Sequence, residues 1–181
     1  MITTSMVWFT ALLGVVGLER LAELVVSKRN AAWSFARGGT EVGRSHYPPM
    51  VALHTALLIG AGVEVWLARP AFIPALGWSM LTLVVLAQAL RWWCIVTLGP
   101  QWNTRVIVVP GAPRVRRGPY RLMPHPNYVA VVVEGFALPL VHTAWITATV
   151  FTLANAALLA VRIRAEDAAL RLLGHGHGRA P

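Results

Sequence analysis

The sequence predicts an all-α integral membrane protein, on the evidence of its composition, its apolar segments and the placement of its basic residues. Of the 181 residues, 56% are hydrophobic and 13% are charged, and the mean hydropathy is +0.59. This composition is typical of chains that dissolve in lipid and argues against an ordinary soluble domain. Nearly continuous apolar stretches, such as residues 81–86, favour helices over the alternating strands of a membrane barrel.

The apolar segments predict about five transmembrane helices, because a spanning helix needs roughly 20 mostly apolar residues. The predicted spans are residues 6–26, 50–67, 72–98, 128–140 and 144–161. The fourth span is short, and Pro139 with the few residues after it predicts a tight helical hairpin with the fifth. No second domain is evident, so we expect one membrane domain over residues 1–181.

The basic residues orient these helices, since Lys and Arg accumulate on the cytoplasmic side of short loops. Thirteen of the 16 Lys and Arg residues lie on one predicted face: Lys28, Arg29, Arg37, Arg44, Arg105, Arg114, Arg116, Arg117, Arg121, Arg162, Arg164, Arg171 and Arg179. The opposite face has only Arg69. We therefore expect the N-terminus outside and the C-terminus inside. The net charge of +9 then indicates attraction to anionic lipid headgroups rather than nucleic-acid binding.

Four carboxylates fall inside the predicted spans, where a charge is costly unless it is paired or faces a polar cavity. Glu19 and Glu23 lie one turn apart beside Arg20, and an ion pair between packed helices is the favoured interpretation. Glu64 lies late in the second span. Glu134 follows a dense polar motif by two turns, so that lining a binding site is at least as good an explanation as packing.

The dense polar motif runs from Arg114 to Tyr128 and reads RVRRGPYRLMPHPNY. Its prolines and glycine disfavour a helix. Four of its side chains offer hydrogen-bonding groups at the membrane surface: Tyr120, His125, Asn127 and Tyr128. Pro126 suits the first turn of a helix whose free N–H groups would favour an anion. The residues alone leave two hypotheses open, a binding loop and an ordinary basic loop.

A second polar group lies at the end of the fifth span. Arg162 and Glu166 are four residues apart and share a helix face, with Asn155 about two turns earlier on roughly the same side. A guanidinium can hold a carboxylate, and a carboxylate can accept hydrogen bonds from paired hydroxyls. His46 and His54, near the start of the second span, either border a pocket or serve only to cap and anchor that helix.

No metal site is expected. Cys94 is the only cysteine, and His175 with His177 supplies only two ligands on a terminal segment.

Together these motifs resemble the isoprenylcysteine carboxyl methyltransferase family of membrane enzymes. The likeness is strongest over about the last 80 residues, through GPYRLMPHPNY at 118–128, the hairpin, and residues 162–167. The first half, with ERLAEL at 19–24 and RGGTEVGRSHY at 37–47, looks like the bacterial branch. That branch includes O-methyltransferases of long-chain alkylpyrones and alkylresorcinols.

The resemblance implies a cofactor site for S-adenosylmethionine within residues 99–181. His125, Pro126 and Tyr128 match the family's His-Pro-x-Tyr motif, and Tyr120 matches the tyrosine before it. The other cofactor-binding candidates are Leu122, Asn127, Arg162 and Glu166, of which the last two match the C-terminal Arg and Glu of the family. The family commonly has Arg immediately before the His. Here that residue is Pro124, so Arg121 or Arg117 would have to replace it.

The implied reaction is O-methylation of a carboxylate or acidic hydroxyl on a lipophilic acceptor, at the cytoplasmic face of a bacterial inner membrane. The catalytic candidates are His125, Arg162 and Glu166. Residues 1–98 would shape the acceptor pocket, and the candidates for binding the acceptor are Glu134, Asn155, His46 and His54. Neither the acceptor's identity nor the oligomeric state is readable from the sequence.

Two other classes of function remain as alternatives. An NADPH-dependent membrane lipid reductase would use the arginines of residues 114–121 to bind the cofactor's phosphates. A transporter or scaffold would use Glu19, Glu23 and Glu64 as a polar path, but no inverted repeat supports it.

Overall fold

The computed structural model describes residues 2–113 and 115–176, with side chains described as far as residue 168. Its helices are α1 (Thr4–Phe35), α2 (Tyr47–Ala68), α3 (Pro74–Leu98), α4 (Pro119–Leu122), α5 (Pro126–Leu140) and α6 (Trp145–Gly176). Two short strands, β1 (Thr40–Val42) and β2 (Val106–Val108), lie in the loops. Single 3₁₀ turns at Arg44–His46 and Gly99–Gln101 complete the described elements.

Within the described residues, three helical segments are long and apolar enough to cross a membrane: Arg44–Ala68, Pro74–Gln101 and Trp145–Ala168. These segments identify the chain as an integral membrane protein. Helix α5 is apolar but shorter. Helix α1 has 32 residues but is not among the three, and its second half carries charged residues from Glu19 to Arg29. The number of spans therefore stays a prediction, as does their orientation.

Two helices extend beyond the spans predicted within them. Helix α1 continues past residue 26 to Phe35, because polar side chains of its second half bind the segment after α3. The Ser27 hydroxyl hydrogen-bonds Asn103 Oδ1 at 2.8 Å, and Asn30 Nδ2 donates to the Trp102 carbonyl at 2.8 Å. Helix α6 continues past residue 161 to Gly176, so that Arg162 and Glu166 both lie on a regular helix.

The all-α prediction was incomplete, since β1 pairs antiparallel with β2. The register places Thr40 opposite Val108 and Val42 opposite Val106. Val106, Ile107 and Val108 are β-branched residues that favour strands, but a three-residue run has no detectable period in the sequence. The pairing joins the loop before α2 to the loop after α3 across the same end of the helices.

The predicted hairpin between α5 and α6 is confirmed. Helix α5 ends at Leu140 and α6 begins at Trp145. The two helices pack closely because Gly135 has no side chain, and a Cβ there would collide with the Phe151 ring. Glu64 of α2 accepts hydrogen bonds from the backbone N–H groups of Ile146 and Thr147, at 3.0 and 2.7 Å. It thereby caps the free donors of α6 and joins α2 to α6.

The apolar core lies near the hairpin end. Its buried residues include Met6, Phe9, Leu13, Val16, Ala61, Val65, Val84, Ala137, Leu138 and Val141. Polar contacts concentrate at the opposite end, where α1 and α3 end and α2 and α5 begin. Any site built from the motifs of the sequence must form there.

Candidate active site

The loop before α5 is shaped by Gly118. This glycine has a φ of 55°, a left-handed conformation that is costly for other residues. A Cβ at this position would lie 2.7 Å from Thr97 Oγ1 and 3.1 Å from Trp93 Nε1. Gly118 therefore lets the loop lie directly against the end of α3. His125 then precedes the first turn of α5, with Pro126 as the first helical residue.

Among the described residues, four side chains join the start of α5 to residues 166–167 of α6, and we call them the terminal cluster: His125, Tyr128, Glu166 and Asp167. The Tyr128 hydroxyl donates to Glu166 Oε2 at 2.6 Å. His125 Nε2 lies 3.2 Å from Asp167 Oδ1, and the other ring nitrogen lies 4.0 Å from Glu166 Oε2. The His125 and Tyr128 rings stack with centroids 5.5 Å apart. Two motifs that are far apart in the sequence thus meet.

Arg162 lies on the same helix face as Glu166 but turns toward α2. Its Nη2 donates to the Thr104 carbonyl at 2.8 Å, and its Nη1 lies 3.0 Å from Met50 Sδ. Only 5% of Arg162 is exposed, and its Nε is buried without a hydrogen-bond partner among the described residues. Among the described residues Arg162 forms no ion pair with Glu166. The Arg162 Nε–H remains available as a hydrogen-bond donor.

A cavity of about 540 Å³ is lined by residues 115–116 and 120–124, which come shortly before His125 in the chain. Small-molecule sites usually measure about 300–1,000 Å³. Burial raises the pKa of the Tyr120 phenol above its usual range, and the neighbouring Cys94 thiol raises it further. Tyr120 is therefore a neutral hydroxyl. Leu122 is 72% exposed on the short helix α4, and Pro124 forms part of the cavity wall.

Polar atoms at the start of α5 and on α6 suit a ligand with hydroxyl groups and a charged end. Glu166 Oε2 accepts one hydrogen bond, and a carboxylate has capacity for more. Asn127 Oδ1 is buried without a partner among the described residues, as is Arg162 Nε. A nucleoside with an amino-acid portion, such as S-adenosylmethionine, offers hydroxyl, amino and carboxylate groups for these atoms.

Comparison with known proteins agrees with the motifs. Residues 80–172 match the model of the isoprenylcysteine carboxyl methyltransferase (ICMT) family. The chain also resembles an uncharacterized protein, YpbQ of Bacillus subtilis (strain 168), with 38% identity over 164 residues, covering 90% of this chain and 96% of the relative. This chain belongs to the ICMT family. The sequence-based recognition is confirmed, and the ICMT family supports methyl transfer in a membrane as the general activity.

In this ICMT-family chain Glu134, one of the candidates for binding the acceptor, lies apart from the terminal cluster. Glu134 is six residues after Tyr128, about 9 Å further along α5. Its Oε2 accepts from Arg91 Nη2 at 2.5 Å and lies 3.5 Å from Arg20 Nη2. Arg20 also pairs with Glu23 at 2.9 Å, as predicted. We call Arg20, Glu23, Arg91 and Glu134 the ionic cluster. It ties α1, α3 and α5 together.

The other residues predicted to bind the acceptor lie along α2 and α6. Asn155 is 2% exposed, and its Oδ1 has no partner among the described residues. His54 Nδ1 lies 2.9 Å from the Met50 carbonyl, and its ring meets the Phe151 ring edge-on with centroids 5.4 Å apart. His46 lies at the start of α2, where the adjacent Gly43 approaches α6 near Ala165. His177 lies outside the described residues, and so does the side chain of His175.

Sequence reasoning missed three partners of the site. Asp167 contacts His125, and its place next to Glu166 at a helix end was the available signal. The Thr104 carbonyl and the Met50 sulfur hold Arg162. A backbone carbonyl and a thioether have no distinctive pattern in a sequence, so only the fold could reveal them.

Proposed function

We propose that this protein is an S-adenosylmethionine-dependent O-methyltransferase. Its acceptor is a lipophilic molecule with a carboxylate or an acidic hydroxyl, methylated at the cytoplasmic face of the membrane. The observation that carries the proposal is the 2.6 Å hydrogen bond between Tyr128 and Glu166. It joins the two motifs that resemble the family's cofactor site, within a chain whose ICMT-family membership is independent of that bond.

The cofactor-binding roles follow from the atoms that remain available. Glu166 accepts hydrogen bonds from the ribose hydroxyls, in addition to the Tyr128 hydroxyl. Arg162, held by Thr104 and Met50, presents its free Nε to the cofactor's carboxylate. Asn127 and the first turn of α5 complete the polar wall, and Tyr120 contributes a neutral hydroxyl. Pro124 takes the place of the family's usual Arg, and Arg121 at the cavity wall supplies the missing positive charge.

The bound cofactor would supply a methyl group attached to a sulfonium. The sulfur leaves as a neutral thioether, so that no metal is needed for the transfer. The protein's task is to exclude water and to align the acceptor oxygen with the methyl group. A carboxylate acceptor is already ionised, whereas a weakly acidic hydroxyl needs a base. His125, oriented by Asp167 at 3.2 Å, and Glu166 are bases at the terminal cluster.

The acceptor's apolar tail lies between lipid-facing helices in this proposal, because the terminal cluster lies at the end of the apolar helices. Burial of a tail is worth roughly 0.8 kcal/mol per methylene removed from water, and less for an acceptor already dissolved in the bilayer. Short soluble analogues should therefore show a raised apparent KM with little change in the chemistry at the oxygen. Equal efficiency on tailless and long-tailed acceptors would contradict a lipid substrate.

The decisive experiment uses the full chain purified in detergent. Calorimetric titration with S-adenosylmethionine should show binding, and NADPH should show none. Incubation with methyl-labelled S-adenosylmethionine and a bacterial lipid extract should then yield a labelled lipid. Binding of NADPH without binding of S-adenosylmethionine would instead favour the reductase, with Arg116 and Arg121 at the cavity wall contacting its phosphates.

A further inference from the structure

The surroundings of His54 determine which of its two ring nitrogens carries the proton in the neutral imidazole. Its Nδ1 lies 2.9 Å from the Met50 carbonyl, and a carbonyl oxygen can only accept, so this nitrogen carries the proton and donates. In the neutral ring Nε2 then has a free lone pair. No hydrogen-bond partner occupies Nε2 among the described residues. A backbone carbonyl that orients a histidine in this way is an arrangement found around general bases.

The surroundings of His54 contain other polar atoms without partners. Phe151 of α6 contacts the His54 ring, and Arg162 of α6 contacts Met50, one turn before His54 on α2. Asn155 lies between Phe151 and Arg162 on the same face of α6, four residues after the first and seven before the second. The interface between α2 and α6 therefore contains His54 Nε2, Asn155 Oδ1 and Arg162 Nε, and the last two are buried without partners among the described residues.

This interface can hold the polar end of an acceptor. Asn155 is 2% exposed and Arg162 is 5% exposed, and unpaired polar groups buried this deeply are costly unless a ligand binds them. A hydroxyl group can donate to Asn155 Oδ1 or to His54 Nε2. Arg162 also belongs to the proposed cofactor site, so the interface adjoins the cofactor.

We propose that His54, rather than His125 or Glu166, is the general base for a neutral, phenol-like hydroxyl bound between α2 and α6, a proposal that rests on the methyltransferase function above. The hydroxyl proton passes to His54 Nε2. An oxygen lone pair forms the new C–O bond to the methyl group. The electrons of the broken S–C bond stay on the sulfur, which leaves as a neutral thioether, while the positive charge moves to the imidazolium.

Charged groups from several elements act on this imidazole. Arg91 on α3, Glu134 on α5 and Arg20 on α1 act on the ring electrostatically, and Arg162 on α6 contacts Met50, one turn before His54. The ionic cluster thus contributes charges of both signs at the ring. A dependence of the rate on pH that is lost with His54 would therefore report the imidazole itself.

The test uses two acceptors with the same shape and different ionisation. One is 3-pentadecylphenol, and the other is its ring-tetrafluorinated analogue, which is ionised at neutral pH. The variant is His54→Gln, whose amide can still donate to the Met50 carbonyl but cannot take up a proton. The matched control is Thr55→Ala, on the exposed side of the same helix turn.

In the full-length protein, His54→Gln should lower the rate on the phenol by about 10²–10⁴-fold and leave the rate on the fluorinated acceptor nearly unchanged. The wild-type rate on the phenol should rise with pH as the imidazole loses its proton and then level off. In the variant it should rise only as the phenol ionises, near its ordinary pKa of about 10. Thr55→Ala should behave as wild type.

Three results would overturn the proposal. An equal loss on both acceptors would make His54 a structural residue, and no loss on either would place the base elsewhere. Binding of S-adenosylmethionine without methylation of either acceptor by the wild type would exclude phenol-like acceptors. Failure of the wild type to bind S-adenosylmethionine would instead contradict the methyltransferase function itself.

Discussion

The ionic cluster and the terminal cluster each contain two carboxylates, but they differ in the charges and the exposure of those carboxylates' surroundings. In the ionic cluster two carboxylates meet two guanidiniums, and Glu23, Arg91 and Glu134 are each 5% exposed or less. In the terminal cluster Glu166 and Asp167 have 30% and 40% of their side chains exposed. Buried ion pairs between helices hold those helices together. Partly exposed carboxylates that can accept further hydrogen bonds can instead bind a ligand.

The first prediction concerns where the two clusters lie across the membrane and has an all-or-none outcome. A cysteine introduced as Arg116→Cys, beside the terminal cluster, should be labelled by a membrane-impermeant maleimide only from the cytoplasmic side. One introduced as Arg69→Cys should be labelled only from outside. The native Cys94, which is 0% exposed, provides the unlabelled control. Labelling of position 116 from outside alone would exclude both the proposed orientation and a cytosolic route for the cofactor.

The second prediction breaks the ionic cluster. Arg91→Ala should destabilise the folded protein by about 3–5 kcal/mol, because Glu134 and Glu23 would be left buried with too little positive charge. Unfolding in detergent, followed by circular dichroism, measures the loss. The double variant Arg91→Met with Glu134→Leu removes both members of the 2.5 Å pair and should cost less. If the double variant is as unstable as Arg91→Ala, the packing of these side chains, rather than their charge pairing, is the main contribution to stability.

The third prediction breaks the terminal cluster. Glu166→Gln should weaken S-adenosylmethionine binding by about 1.5–3 kcal/mol, the worth of a charged hydrogen bond, which is roughly ten- to a hundredfold in affinity. Calorimetric titration measures the change. Glu64→Gln is the matched control, since Glu64 also accepts hydrogen bonds but caps α6 at the other end. It should lower stability and leave affinity unchanged. The reverse pattern would place the cofactor near Glu64.

The fourth prediction has the smallest effect. Replacing His175 and His177 by alanine should leave cofactor affinity and stability within the error of measurement, because two histidines on a terminal segment rarely form a specific site. The same titration measures it. Loss of binding in this double variant would mean that the segment around His175 and His177 completes the site, and the terminal cluster would then be only part of it.

Much of the site was predictable because its signals are local. The sequence GPYRLMPHPNY contains the turn residues, the helix start and the polar side chains of the loop before α5 within 11 consecutive residues. The spacing of Arg162 and Glu166 predicts a shared helix face from the helical period alone. Resemblance to the ICMT family then joined the two segments.

What the sequence by itself determined is the membrane environment and the identity of the polar motifs, because composition and short-range spacing depend only on neighbours along the chain. The tertiary structure alone decided which charges are balanced and which polar atoms stay available. Arg91 meets Glu134 across 43 residues of chain, and Arg162 binds the Thr104 carbonyl across 58. No local period encodes these contacts, because they exist only when separate helices pack together.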